Sequence, residues 1–204
     1  ETCCFVAGTQ VSTPSGEKNI ETISVGDSVY AANPVTGEVG IKKVLKVFTK
    51  QTYTLYHVVI SDEKIVTTEE HPFWVEGKGW VAARNLHQGD SLCLQDKGTV
   101  QITDVFVENL NNPVMVYNFE VEDWHTYFVG TNKVLVHNKC SLTKINDRYL
   151  KQNGYDAHEI KADIVGKSQI SKYDLFYDKT TGAIFLLRKG AKAASAIATG
   201  LFIK

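Results

Sequence analysis

The chain has 204 residues, 43% of them hydrophobic and only 4 of them Pro, which excludes an extended disordered polypeptide and leaves room for one large or two modest domains. It holds no run of about 18 apolar residues and no basic-then-apolar opening segment, so neither a membrane-spanning helix nor a signal peptide is expected. The net charge of −1 hides a split: residues 1–138 carry 10 Lys/Arg against 17 Asp/Glu, and residues 139–204 carry 12 against 6. A net of −7 beside a net of +6 predicts two units with different partners, the basic one suited to a polyanion or an acidic protein.

The opening Glu1-Thr2-Cys3-Cys4 reads as a cut into a longer polypeptide. Runs rich in Val, Ile, Thr and Tyr then predict strands at 39–48, 53–60, 99–107 and 114–121. Turn signals punctuate this region at Pro14-Ser15-Gly16, Asn33-Pro34 with Gly37, Asp96-Lys97-Gly98 and Asn111-Asn112-Pro113. No helical period of useful length interrupts it, so residues 1–138 read as all-β. Ile20-Glu21-Thr22-Ile23-Ser24-Val25-Gly26-Asp27-Ser28-Val29 has an echo 63 residues later in Ala83-Arg84-Asn85-Leu86-His87-Gln88-Gly89-Asp90-Ser91-Leu92. A duplicated β unit predicts pseudo-twofold symmetry.

From about Cys140 the texture changes. Leu142, Ile145 and Tyr149 fall at helical spacing, with Gly154 as a stop. Asp156 and Glu159 make a capping-box-like start to a second helix, Ala157–Val165, closed by Gly166. Alternating runs at Tyr173–Tyr177 and 183–187 flank Asp178-Lys179-Thr180-Thr181-Gly182 as a hairpin, and Leu201-Phe202-Ile203 adds a last strand. The expected organisation is therefore an all-β unit over 1–138 and a small basic α+β domain over 139–204.

The cysteines stand at 3, 4, 93 and 140, a spacing that fits no CxxC metal pattern. Neither a disulfide framework, a metal nor another cofactor is expected, and a reactive thiol is the more interesting reading. Cys4 can attack the carbonyl of the peptide bond joining it to Cys3 and convert that amide into a thioester, a tethered nucleophilic reaction. Thr68-Glu69-Glu70-His71 places a hydroxyl three residues from an imidazole able to protonate the departing nitrogen near neutral pH. Asp123-Trp124-His125 follows the run Val116-Tyr117-Asn118-Phe119-Glu120-Val121. Val134-Leu135-Val136-His137-Asn138 ends on a side-chain amide that can attack its own backbone carbonyl, with a histidine beside it. Each feature alone also has a plain structural explanation, such as a buried thiol or a turn histidine.

In this order the four blocks resemble the HINT superfamily of inteins and hedgehog proteins, and above all the pretoxin HINT modules of bacterial polymorphic toxins. The resemblance spans residues 4–138. It implies an all-β HINT horseshoe in which Cys4 is the nucleophile, Thr68 and His71 assist the acyl shift, and His125 and His137 assist cyclisation of Asn138. Two positions depart from the pattern. Splicing inteins carry Cys, Ser or Thr after the terminal Asn, and this chain has Lys139, so autocleavage rather than splicing is implied. Many inteins place Asp where this chain has Asn118, which carries no charge and cannot act as a base, so weaker coupling between the two cleavages is implied.

The tail resembles the small C-terminal toxin domains of such proteins, which are often nucleases. Its net +6 favours a phosphate polymer. His158, Lys161, Arg188 and Thr199 are the candidate residues for metal-free RNA cleavage: His158 as acid–base group with Asp156, Glu159 and Lys161 near it in sequence, and Arg188, Thr199 and Lys179 around the phosphate. The resemblance implies a toxin secreted or surface-delivered by bacteria, an upstream delivery module outside this chain, action in a target-cell cytoplasm, and an acidic cognate immunity protein. A non-cleaving HINT scaffold presenting a binding or membrane-active cargo is the alternative.

Overall fold

The computed structural model describes residues 3–34, 36–138, 143–177, 182–190 and 197–203. The chain divides into two compact units, Glu1–Cys140 and Ser141–Lys204. Residues 139–142, Leu142 among them, lie outside the described residues, as do Lys179 and the rest of the hairpin turn at 178–181.

The first unit is built from β1 (Phe5–Val6), β2 (Gln10–Thr13), β3 (Gly16–Asn19), β4 (Ser28–Ala32), β5 (Val39–Ile60), β6 (Glu63–Thr67), β7 (Pro72–Val75), β8 (Gly79–Ala82), β9 (Ser91–Cys93), β10 (Thr99–Val121), β11 (Thr126–Val129) and β12 (Val134–His137). They form one antiparallel system in the order β3-β2-β11-β12-β7-β9-β10-β1-β6-β5-β4, with β8 paired to β7 and β10 also paired to β5. Phe5, Val58, Ile60, Phe73, Phe119, Tyr127, Val129 and Val136 fill its core. Every residue of β11 and β12 is buried, including the polar Thr126 and His137, so these strands show no in–out alternation.

The internal repeat folds into two matching corners, the basis of the pseudo-twofold symmetry. Ile20–Thr22 and Ala83–Asn85 are both 3₁₀ turns. Gly26 and Gly89 both adopt φ +89°, a left-handed conformation that glycine reaches without Cβ strain. Gly26 N donates to Val44 O, and Val44 N donates back to Asp27 O, each at 2.9 Å. The second copy exchanges the same pair of bonds between Gly89, Asp90 and Ile102, each at 2.8 Å. Each aspartate then clasps its own corner: Asp27 accepts from Ser24 N and Lys18 Nζ, and Asp90 accepts from His87 N and Lys78 Nζ. Gly supplies the bend, Asp ties it, and Ser begins the next strand.

The four separate strand runs correct to two long ones. Residues 39–48 and 53–60 are parts of β5, and 99–107 and 114–121 are parts of β10. Asn111-Asn112-Pro113 is no chain reversal: the register jumps from Asn109↔Thr54 to Val114↔Thr52, leaving residues 110–113 opposite Tyr53. Turn-forming composition serves equally well for a bulge on an exposed ribbon, where proline loses no ladder bond.

The second unit contains β13 (Thr143–Lys144), α1 (Asp147–Gln152), α2 (Ala157–Val165), β14 (Tyr173–Tyr177), β15 (Ala183–Arg188) and β16 (Ile197–Phe202), with the sheet order β13-β14-β15-β16. The first helix starts later than its apolar spacing implied, because Asn146 caps it by accepting from Tyr149 N at 2.8 Å. Asp156 caps α2 by accepting from His158 N and Glu159 N, and Gly166 at φ +79° ends it. A 3₁₀ segment at Lys167–Lys172 had no signature in the sequence. The last strand begins at Ile197 rather than Leu201. Ile145, Leu150, Ile160, Leu175, Ile184, Leu186 and Ile203 form this unit's own core. No helix among the described residues is long and apolar enough to cross a membrane.

Candidate active site

Cys4 precedes β1, where Phe5 pairs with Tyr117 of β10 on one side and Thr67 of β6 on the other. This double pairing fixes the peptide bond between Cys3 and Cys4. Cys4 N donates to Thr68 Oγ1 at 2.9 Å, and the Cys4 carbonyl accepts from Thr68 N at 2.9 Å and from Thr67 Oγ1 at 2.8 Å. The hydroxyl expected to assist at Cys4 therefore touches the nitrogen of the bond in question. Thr67, absent from the sequence reading, holds the other side of the residue. The Cys4 side chain packs with Leu55 and Val116, and burial pushes its thiol up to about 11, with Lys50 pulling the other way.

His71 closes a tight turn with Thr68, its N–H donating to Thr68 O at 3.3 Å. Its ring is fully buried against Phe5 at 4.1 Å between centroids. Burial first, and the neighbouring His137 second, push its pKa down to about 3, against a weaker opposing influence from the Cys3 backbone. The imidazole is therefore neutral at pH 7. In that state it can relay a proton rather than stand as a ready imidazolium acid.

The other end of the unit arrives at the same place. His137 ends β12, 1% exposed, with its ring edge-on to Trp80 at 5.0 Å. Asn138 N donates to His125 O at 2.9 Å, so the last residue is held by the turn that carries His125. His125 itself sits at φ +50°, with Nδ1 3.8 Å from Glu120 Oε1. The Asn138 side-chain nitrogen, Nδ2, is buried and makes no hydrogen bond among the described residues.

Asn118 of β10 links the two ends. Its Nδ2 donates to Cys3 O at 2.5 Å and to Asn138 O at 3.2 Å. Its Oδ1 accepts from Phe119 N and from Tyr127 OH, each at 2.8 Å. Sequence reasoning missed Tyr127; a tyrosine hydroxyl inside a fully buried strand, needing a partner, was its only signal. Cys3 is disulfide-bonded, leaving Cys4 and Cys93 as the free thiols among the described residues.

Residues 10–139, well over half of the chain, match the family model of the pretoxin HINT domain. The chain belongs to the pretoxin HINT family. The HINT unit is similar to the solution structure of a bacterial intein-like domain from Clostridium thermocellum, with 44% identity and a TM-score of 0.66 over 68% of this chain and 100% of that one. It is similar to the gp41-1 intein at 27% identity and TM-score 0.56, covering 68% and 100% of the two chains. The fold is also shared with a DnaB intein from Synechocystis, at 18% identity and TM-score 0.58 over 68% and 99%. An uncharacterised protein of Methanocaldococcus jannaschii is 28% identical over 108 residues, which are 50% of this chain and 15% of that protein. Residues 137–204 match the family model Bacterial toxin 33. A HINT domain is thus joined to a bacterial toxin domain.

In the toxin unit the four candidate residues are spread out. His158 is exposed on the first turn of α2, and Lys161 lies one turn further along it. Lys161 lines a pocket of about 470 Å³ with Lys144, Asn146, Asp147 and Asp174, where Lys144 and Asp174 are paired at 2.7 Å. Arg188 is exposed at the end of β15, opposite Tyr173. Thr199 donates its hydroxyl to Ile184 O at 2.7 Å. No described contact joins His158 or Lys161 to Arg188 or Thr199.

Proposed function

We propose that the HINT unit is a single-turnover release device that cuts the chain after Asn138 and after Cys3, freeing residues 139–204 as an active toxin. The observation that carries this reading is the meeting of the Cys3 and Asn138 carbonyls on one buried side chain, that of Asn118.

At the C-terminal end, Asn138 Nδ2 attacks its own carbonyl carbon. The new C–N bond closes a succinimide, the bond to the Lys139 nitrogen breaks, and the proton lost by Nδ2 ends on that nitrogen. The unpartnered, buried Nδ2 supports this step, since no hydrogen bond has to break before attack. At the N-terminal end, Cys4 Sγ attacks the Cys3 carbonyl carbon, the Cys4 nitrogen leaves as an amine, and the thiol proton passes to it by way of neutral His71. Water or an added thiol then opens the thioester. Lys139 cannot accept an acyl group as Cys, Ser or Thr would, so the outcome is cleavage without splicing. A thiol held up at about 11 is mostly protonated at pH 7, which favours release at Asn138 as the faster cut.

Mass spectrometry under reducing conditions tests this directly. A 66-residue fragment beginning at Lys139 should appear and should be abolished in Asn138→Ala. An intact chain after days with added thiol would instead favour a HINT scaffold that merely presents its cargo. For the freed unit we propose ribonuclease action in a target cell, after delivery from a bacterium and with an acidic protein as its antidote. Its net charge of +6 supports a phosphate polymer as substrate. Absence of RNA cleavage by the tail, with chelator and with divalent metal alike, would sink that assignment.

A further inference from the structure

The reaction just proposed builds negative charge twice, once on the Cys3 carbonyl oxygen and once on the Asn138 carbonyl oxygen. Each becomes an oxyanion when its carbon is attacked, and in a buried site such charge needs a hydrogen-bond donor already in place. Asn118 Nδ2 donates to both oxygens. A primary amide carries two N–H bonds on one nitrogen, pointing in different directions, so one serves each carbonyl and neither has to be surrendered to the other.

The orientation of that amide follows from its partners. Phe119 N–H can only donate, so the atom facing it at 2.8 Å must be the amide oxygen. The other end faces two carbonyl oxygens, which can only accept, so it must be the nitrogen. Tyr127 OH donates to the same Oδ1 at 2.8 Å from a fully buried position and locks the arrangement from the far side. Asn118 is itself 7% exposed, so its hydrogen bonds face little competition from water.

We infer that Asn118 is a catalytic residue, a shared oxyanion donor for both cleavages, and that Tyr127 is the positioning residue that aims its amide. The inference rests on the release reading above. It also reverses the expectation that an uncharged residue at this position weakens the link between the two cuts. A carboxylate could not donate to either oxygen while ionised, whereas an amide donates to both at every pH near neutrality.

Each cleavage can be followed alone: Cys4→Ala leaves release at Asn138, and Asn138→Ala leaves thiol-dependent cleavage at Cys3. Asn118→Ala placed in each background should slow both reactions by about 10²–10³, the loss expected for one oxyanion donor, at temperatures well below the thermal midpoint measured for that variant. Tyr127→Phe keeps the donor but frees its anchor, and should slow both reactions by a similar, smaller factor. Slowing of only one reaction, or of neither, by Asn118→Ala overturns the shared role. If Asn118→Ala does not fold, Tyr127→Phe decides alone, and unchanged rates there overturn the inference. Backgrounds that cleave at neither bond remove the release reading, and the inference falls with it.

Discussion

Burial of His71 predicts an acid sensitivity of the HINT unit that can be isolated. Its pKa falls from 6.5 to about 3 on folding, chiefly through burial. A group whose folded pKa is depressed binds fewer protons in the native state, so its contribution is fully present above pH 6.5 and is lost as pH falls towards 3. Each tenfold difference in proton affinity is about 1.4 kcal/mol, so the whole window is worth roughly 5 kcal/mol, and the part between pH 7 and pH 4.5 about 2.5 kcal/mol. The assay is urea unfolding at those two pH values in the Asn138→Ala background, followed by tryptophan fluorescence. All three tryptophans, Trp74, Trp80 and Trp124, lie in the HINT unit, so the signal reports that unit alone. His71→Gln should be less stable at pH 7, yet lose about 2.5 kcal/mol less than the parent on acidification. Parallel losses in the two proteins would refute the reasoning.

Two further substitutions separate the parts of the molecule. Thr68→Val removes the acceptor on Cys4 N and leaves that buried N–H unpaired. Thiol-dependent cleavage at Cys3 should fall by about 10- to 100-fold, from a cost of roughly 1–3 kcal/mol, while fragment release at Asn138, read from product masses, stays within threefold. Leu150→Ala empties a fully buried position in the toxin unit. It should destabilise that unit by about 2–5 kcal/mol, visible as faster hydrogen exchange at its core amides.

The order and spacing of the candidate groups were legible because each rests on local sequence: a cysteine next to a peptide bond within its reach, a hydroxyl three residues from an imidazole, an asparagine at a strand end. The paired Gly-Asp-Ser corners were legible for the same reason, since bend, clasp and strand start lie within a few residues. What the sequence hid was set by distance. Asn118 stands 115 residues from Cys3 and 20 from Asn138, and only the fold brings all three together. The depth that turns His71 into a neutral histidine comes from Phe5, Phe73 and Tyr127 packing around it. The long ribbon of β5 and β10 was broken in two by a composition that marks bulges as readily as turns. In the second unit the Asp156 cap was readable because it lies within a few residues, whereas the Asn146 cap was hidden by the apolar spacing that placed the first helix too early.

The meeting of the Cys3 and Asn138 carbonyls also bears on where such a unit can sit. Both oxygens bond to one nitrogen, so they can be no farther apart than those two bonds laid end to end. To a host chain, more than a hundred residues of HINT fold therefore look like a tight turn. A unit whose entrance and exit nearly coincide can interrupt a surface loop without prising its ends apart. The contact between the Cys3 and Asn138 carbonyls is thus a geometry that suits insertion into another chain.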